Sequence, residues 1–314
     1  MGNTFYFDWE ITLIEWFQSH CSEALITIFS FITLFGEELV MILILGFLYW
    51  GYDKKYARFV GTNAVVGVVL NPLVKNVFLR RRPYFDNKTI KCLKPVEAEY
   101  DIYDVAAQGY SFPSGHSMNS AIVYPSIAIY GKKKILTILA IILPLLVGLS
   151  RPVVGVHYPT DVLVGWLLGA LVVGLVSFLQ AKISDKRILY LILAIVGLPG
   201  MFYCTSNDYY TAYGLMLGFF VAVLFEEKYV NFENTKNPLR ILLRVVFGVL
   251  IYFTLNTVLK LPFSKQFLES GEKAALIVRM VRYFIDIFIM LGIYPMLFKY
   301  TDKLWDKDNR LANK

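Results

Sequence analysis

Long apolar runs alternate with short polar connectors along the chain. Hydrophobic stretches recur at residues 59–74, 117–130, 135–149, 162–179, 188–202, 213–225, 241–261 and 275–298. Several approach the roughly 20 residues that a membrane-spanning helix needs. The pattern predicts an all-α, polytopic integral membrane bundle with eight to ten transmembrane helices. The N-terminal part admits two readings. Phe5, Phe7, Trp9, Leu13, Trp16 and Phe17, with Glu10, Glu15 and His20 between them, suit an interfacial helix. Gly36-Glu37-Glu38 then interrupts the apolar run at 24–50, and two carboxylates near a bilayer centre are expensive. Either the break lies at a surface where two helices meet, giving ten spans, or the acids face the protein interior, giving nine. The expected organisation is an N-terminal interfacial and transmembrane segment (1–57), a core (58–180) and a C-terminal transmembrane extension (181–314).

Composition agrees with a membrane setting: 57% of the 314 residues are hydrophobic and only 18% are charged. The net charge of +7 does not indicate nucleic-acid binding, because the cations sit at segment ends rather than on one soluble face. Lys54, Lys55 and Arg58 fill one connector, Lys132, Lys133 and Lys134 another, and Lys182, Lys186 and Arg187 a third. By the positive-inside rule these three are cytoplasmic, which places the loops at 80–112 and 150–158 on the opposite side. Lys299, Lys303, Lys307, Arg310 and Lys314 fit the cytoplasm if nine or ten spans are present. The first 53 residues contain no lysine or arginine, so no removable signal peptide is expected. Cys21, Cys92 and Cys204 have no metal-ligand spacing.

Three blocks on the non-cytoplasmic side carry the candidate chemistry. They are Lys75 through Arg82-Pro83, then Pro113-Ser114-Gly115-His116, then Ser150-Arg151 followed by His157 and Asp161. Lys75, Arg82 and Arg151 supply cations to complement phosphoryl oxygens, arginine as a two-pronged fork and lysine as a mobile point charge. Ser114 offers a hydroxyl, and Gly115 lets backbone amides approach an anion. Singly, each has a bland explanation: a bundle histidine that only hydrogen-bonds, an arginine that snorkels, a routine turn. Their order and spacing point to a site.

That order resembles the tripartite signature of the type-2 phosphatidic acid phosphatase superfamily, K-x6-R-P, P-S-G-H and S-R-x5-H-x3-D, with no motif position substituted over residues 58–180. The resemblance implies that His157 is a nucleophile forming a phosphohistidine, that Asp161 orients its ring, and that His116 protonates the leaving group. It further implies a lipid phosphate monoester or diphosphate as substrate, reached from the bilayer. Three cations then stand in for a metal, so neither metal nor cofactor is expected. Related branches leave a soluble sugar phosphate or phosphotransfer to another hydroxyl open, and a lipid or anion transporter or scaffold is the reading from a different class. The short loops favour a bacterial plasma membrane with the site facing outward. Arg80 and Arg81 read either as substrate-attracting cations or as headgroup anchors. Glu97, Glu99, Asp101 and Asp104 read as a solvated face, and Trp50, Tyr103 and Tyr158 as interface anchors.

Overall fold

The structure, a computed structural model, describes residues 2–300. Among these all regular secondary structure is helical, apart from one isolated bridge between Asn3 and Arg80, and residues 87–104 form an irregular loop. It opens with α1 (Asp8–His20), α2 (Glu23–Ile32), a 3-10 turn (Thr33–Gly36) and α3 (Glu38–Gly46), which continues into a π-helical turn. Next come α4 (Lys54–Phe78), the short α5 (Pro83–Asp86) and α6 (Val105–Gln108), then α7 (Gly115–Gly131), α8 (Lys134–Val153) and α9 (Pro159–Lys182). The order ends with α10 (Lys186–Gly197), α11 (Gly200–Tyr203), α12 (Asn207–Phe225), α13 (Pro238–Val258), α14 (Lys265–Glu269) and α15 (Lys273–Phe288).

Among the described residues six helices are long and apolar enough to cross a membrane: Lys54–Phe78, Lys134–Val153, Pro159–Lys182, Lys186–Tyr203, Asn207–Val230 and Pro238–Val258. A seventh is added if Asp8–His20 and Glu23–Gly36, bent by 119°, form one span. The protein is therefore an all-α, multi-pass membrane protein. α7, at 17 residues, and α15, at 16 residues with Lys273, Arg279, Arg282 and Asp286 among them, are shorter than these six. The cations at 303, 307, 310 and 314 lie outside the described residues.

The chain divides into two compact units. One holds the chain up to Ile42, Phe59–Lys182 and Gly200–Ser206; the other holds Leu43–Arg58, Ile183–Pro199 and the chain from Asn207 onward.

In the first unit α7 packs between α8 and α9. The seam with α9 depends on Gly165 and Gly169. A Cβ on the former would lie 2.8 Å from the Ser114 carbonyl oxygen, and one on the latter 2.8 Å from Ala121 Cβ. Small residues one turn apart are how membrane helices bring their backbones together, since lipid supplies no hydrophobic drive. Further along the same helices Asn63 donates to Ser126 Oγ (2.8 Å) and Ser177 Oγ (3.2 Å), which ties α4 to both neighbours. α7 ends at Lys132, whose left-handed φ of 49° stops the helix and turns the chain into α8. A small core of Ile14, Tyr84, Ile90, Val154, Val156 and Tyr158 joins α1 and α5 to the loop between α8 and α9.

In the second unit α12 lies against α15. Arg58 donates to both Glu226 and Glu227, Lys54 Nζ lies 3.0 Å from Glu226 Oε1, and Lys186 also reaches Glu227. Three cations read as topology markers thus neutralise two carboxylates, and Glu226 is fully buried. Trp50 is buried edge-on to Tyr294, with centroids 5.6 Å apart, so it is a packing residue and not an interface anchor.

Candidate active site

The first motif begins in the last turn of α4, where Lys75 is half-buried. The chain leaves the helix through Leu79 at φ 53° and runs extended between two flanks. On one side Asn3 N–H donates to Leu79 O (2.7 Å) and Arg81 N–H to Asn3 O (2.9 Å); on the other Ser111 N–H donates to Arg80 O (2.7 Å). Arg82 then occupies the N-cap of α5, with Pro83 at the position where a missing amide hydrogen costs least. Its Nε donates to Gln108 O (2.9 Å) and Gly109 O (3.1 Å), and its Nη1 to Val156 O (3.0 Å).

The second motif forms the start of α7. Ser114 is its N-cap: the hydroxyl oxygen accepts from Ser117 N–H (3.4 Å) and Ser117 Oγ (2.8 Å). That oxygen is committed to the helix, while the Ser114 proton remains one it can donate. The backbone amide of Ser114 donates to Asp161 O (3.0 Å), so the second and third motifs are directly bonded. First-turn amides of a helix have no intrahelical acceptor, which makes this end a receptive place for an anion. The turn at Thr33–Gly36 packs on His116; a Cβ on Gly36 would sit 3.0 Å from His116 Cβ.

The third motif spans the end of α8 and the start of α9. Ser150 Oγ donates back to Val147 O (2.6 Å), while Arg151 points away from its helix and donates to Thr33 Oγ1. A turn through Gly155, at φ 76°, then delivers His157. Asp161 Oδ2 accepts from Tyr158 N–H (2.8 Å) and lies 3.3 Å from His157 Nδ1. On the other edge of the ring, Arg82 Nη1 lies 3.4 Å from Nε2.

These neighbours define the state of His157. Arginine offers only donors and a carboxylate only acceptors, so Nδ1 carries the hydrogen and Nε2 keeps its lone pair. Burial, with the charges of Arg82, Arg151 and Lys75 added, holds the imidazole well below its ordinary value of 6.5. A neutral ring at physiological pH follows, with its basic nitrogen turned toward Arg82.

All eight motif residues lie in the first unit. Arg82, His157, Asp161 and Ser114 are linked by direct contacts. Lys75, Arg151 and His116 are close enough for the His157 ring to feel their charge, and Gly115 faces Asn71, whose Oδ1 would be 3.5 Å from an added Cβ.

Several neighbours were not apparent as site residues. Arg80 neither attracts substrate nor anchors headgroups. It is 1% exposed and pairs with Glu10 Oε2 (2.9 Å) and Asp161 Oδ1 (2.8 Å). Tyr158 is buried as well and lies under that guanidinium, 3.9 Å from its carbon, which corrects its reading as an interface anchor. Arg81 pairs with Asp86 at 2.5 Å. Glu37 meets Lys94 of the loop at 2.7 Å, so the Gly36-Glu37-Glu38 break lies on the motif side. The acidic run is exposed and partly caps its own loop, with Asp104 accepting from Ala106 N–H at 2.8 Å.

Comparison with known proteins identifies the family. The PAP2 superfamily model matches residues 55–185, and a model for the transmembrane extension of PAP2 superfamily phosphatases matches residues 210–304. Phosphatidylglycerophosphatase B of Bacillus subtilis (strain 168) is 46% identical over 92 residues, covering 26% of this chain and 45% of that protein. Undecaprenyl-diphosphatase BcrC of the same organism is 31% identical over 169 residues, covering 53% and 79%. An undecaprenyl-diphosphatase of Sulfolobus acidocaldarius is 32% identical over 157 residues, covering 49% and 68%. The chain thus spans less than half the length of the first relative and more than two thirds of the other two. The crystal structure of the first transmembrane PAP2 type phosphatidylglycerolphosphate phosphatase from Bacillus subtilis aligns with a TM-score of 0.44 at 30% identity, over 55% of this chain and 85% of that one. The chain belongs to the PAP2 superfamily.

Proposed function

We propose that this chain is a membrane phosphatase that hydrolyses lipid phosphate monoesters or diphosphates on the non-cytoplasmic face, through a phosphohistidine at His157 and without a metal. One observation carries the reading: a neutral His157 whose Nδ1–H faces Asp161 and whose Nε2 lone pair faces Arg82. An imidazole in that tautomer is a poised nucleophile.

In the first step Nε2 attacks phosphorus in line, the P–N bond forms and the bond to the leaving oxygen breaks. Lys75, Arg82 and Arg151 balance the charge spread over the equatorial oxygens, together with the first amides of α7. His116, protonated as the anionic substrate offsets the neighbouring cations, gives that proton to the leaving oxygen. In the second step water attacks phosphorus, His116 takes a proton from it, the P–N bond breaks and phosphate departs. Nδ1 keeps its hydrogen throughout, and Asp161 stabilises the cationic ring that forms between the two steps.

Orientation is supported by the alternation within the first unit. The ends of α4 and α8 and the starts of α7 and α9 carry the motifs, while the opposite ends of α7, α8 and α9 carry Lys132, Lys133, Lys134 and Lys182. Two relatives whose length this chain mostly spans are undecaprenyl-diphosphatases, which favours a long-chain isoprenyl diphosphate over a glycerolipid. The test is phosphate release by purified protein in detergent with excess chelator. Substrates would be an isoprenyl diphosphate, phosphatidate, phosphatidylglycerol phosphate and glucose-6-phosphate, with His157→Ala beside the parent chain. The expected result is release from lipid substrates, fastest from the isoprenyl diphosphate, that survives chelation and is lost in the variant. Release that requires a divalent ion, or that persists without His157, overturns the mechanism.

A further inference from the structure

Behind the candidate nucleophile lies a charge cluster whose outer member comes from α1, well before the stretch that matches the family model at residues 55–185. Glu10 is 0% exposed. Its Oε2 lies 2.9 Å from Arg80 Nη2, and its Oε1 accepts from Thr160 Oγ1 (2.6 Å) and Thr160 N–H (3.0 Å). Arg80 Nη1 in turn donates to Asp161 Oδ1 (2.8 Å) and Thr160 Oγ1 (2.7 Å), and its Nε to Phe5 O (2.8 Å). The guanidinium is flanked by the rings of Tyr158 and Phe5, 3.9 and 4.7 Å from their centroids.

We propose that Glu10 and Arg80 are positioning residues that keep Asp161 aimed at His157 and keep its negative charge available to the ring; this rests on the reading of His157 given above. The geometric part is direct. By holding Oδ1, Arg80 leaves Oδ2 to Tyr158 N–H and His157 Nδ1, which fixes the rotation of the carboxylate and hence the tautomer of the ring. The electrostatic part follows from the count of charges. Asp161 and Arg80 alone would sum to zero, and an arginine facing a lone aspartate would offset the assistance that the aspartate gives to a developing imidazolium. A second carboxylate on the far side of the guanidinium restores one net negative charge behind the ring. In a buried site that charge is weakly screened. It opposes Arg82 at the ring's other edge and the further positive charges of Arg151 and Lys75 that act on the ring.

The experiment compares the parent chain with E10Q, E10D, T160V and H157A, each purified whole in detergent, with an isoprenyl diphosphate as substrate. It reads kcat and KM through the acid range and counts sites by vanadate binding. E10Q is expected to lower kcat per vanadate site roughly 10- to 100-fold, with KM within about threefold. It should also move the acid limb of kcat/KM to lower pH, because losing a negative charge makes protonated His157 harder to form. E10D keeps the charge, so its limb should stay at the parent position even where kcat falls. A purely structural Glu10 would reduce the number of vanadate sites while leaving kcat per site and the limb unchanged, and that result overturns the proposal. Should E10Q fail to fold, T160V decides: a fall in kcat of about three- to tenfold at constant KM supports positioning, and an unchanged kcat overturns it. H157A separates the two levels. Activity in H157A sinks the reading of the site itself, whereas an inactive H157A beside a parent-like E10Q sinks only the positioning role.

Discussion

Arg80 and Arg58 are built alike. Each is nearly buried and each is held by two carboxylates, Glu10 and Asp161 for the first, Glu226 and Glu227 for the second. They differ in what lies one contact further on. From Arg80 the next step leads through Asp161 to His157, a ring with a free lone pair. From Glu226 and Glu227 it leads to Lys54 and Lys186, two more cations. A buried ion-pair cluster is therefore not a functional signal by itself. What distinguishes the two is whether one member of the cluster is shared with a group that can react, and a closed set of charges has only stability to contribute.

The largest expected effect cuts the shared member. D161N should lower kcat on the order of 10^3- to 10^4-fold by leaving Nδ1–H without an anionic acceptor, as the loss of an orienting aspartate does in other histidine-based sites; near-parent turnover would erase the distinction between the clusters. E226Q attacks the closed set. Removing the fully buried carboxylate leaves Arg58 with Glu227 and Lys54 with the neutral acceptors Asn231 Oδ1 and Phe232 O, at about 3 kcal/mol of stability, the low end for a broken buried pair. Thermal unfolding in detergent should register this, with turnover per folded molecule unchanged, and a loss of turnover at parent stability would show that the second cluster is not closed. A smaller effect is expected from T33V. Freed from Thr33, Arg151 should bind phosphoryl oxygens less well, raising KM by roughly fivefold for about one hydrogen bond. The mildest probe is pH. Because His157 is held below its ordinary value of 6.5, the ring stays unprotonated at neutral pH, and kcat/KM should remain level as pH falls to that value and drop only below it. An acid limb at or above 6.5 would mean that the cations do not press on the ring as described.

Much of the first cluster's reactive end could be read from the chain alone. The three motif blocks are defined by residue type and local spacing, and those spacings survive because each block is a helix end or the loop beside it. Glu10 and Thr33 were not readable as site neighbours. Their partners are 70 and 118 residues away, and nothing in a helix of aromatic and acidic residues says which acid will turn inward. Arg80 was misread for a related reason: one arginine in a run of three has no pattern that separates it from its neighbours. Apolar length is legible in sequence, whereas a 119° bend between α1 and α2 is a tertiary fact. Glu226 and Glu227, too, look like ordinary connector acids until the chain brings Arg58 to them.

The pairing of Asn3 with the backbone of Leu79 and Arg81 bears on how this protein is handled at the bench. A purification tag, fluorophore or fusion partner joined just ahead of Asn3 pulls directly on the segment that leads from Lys75 to Arg82. Such a label acts as an unintended perturbant of the site, and activity should be compared before and after its removal.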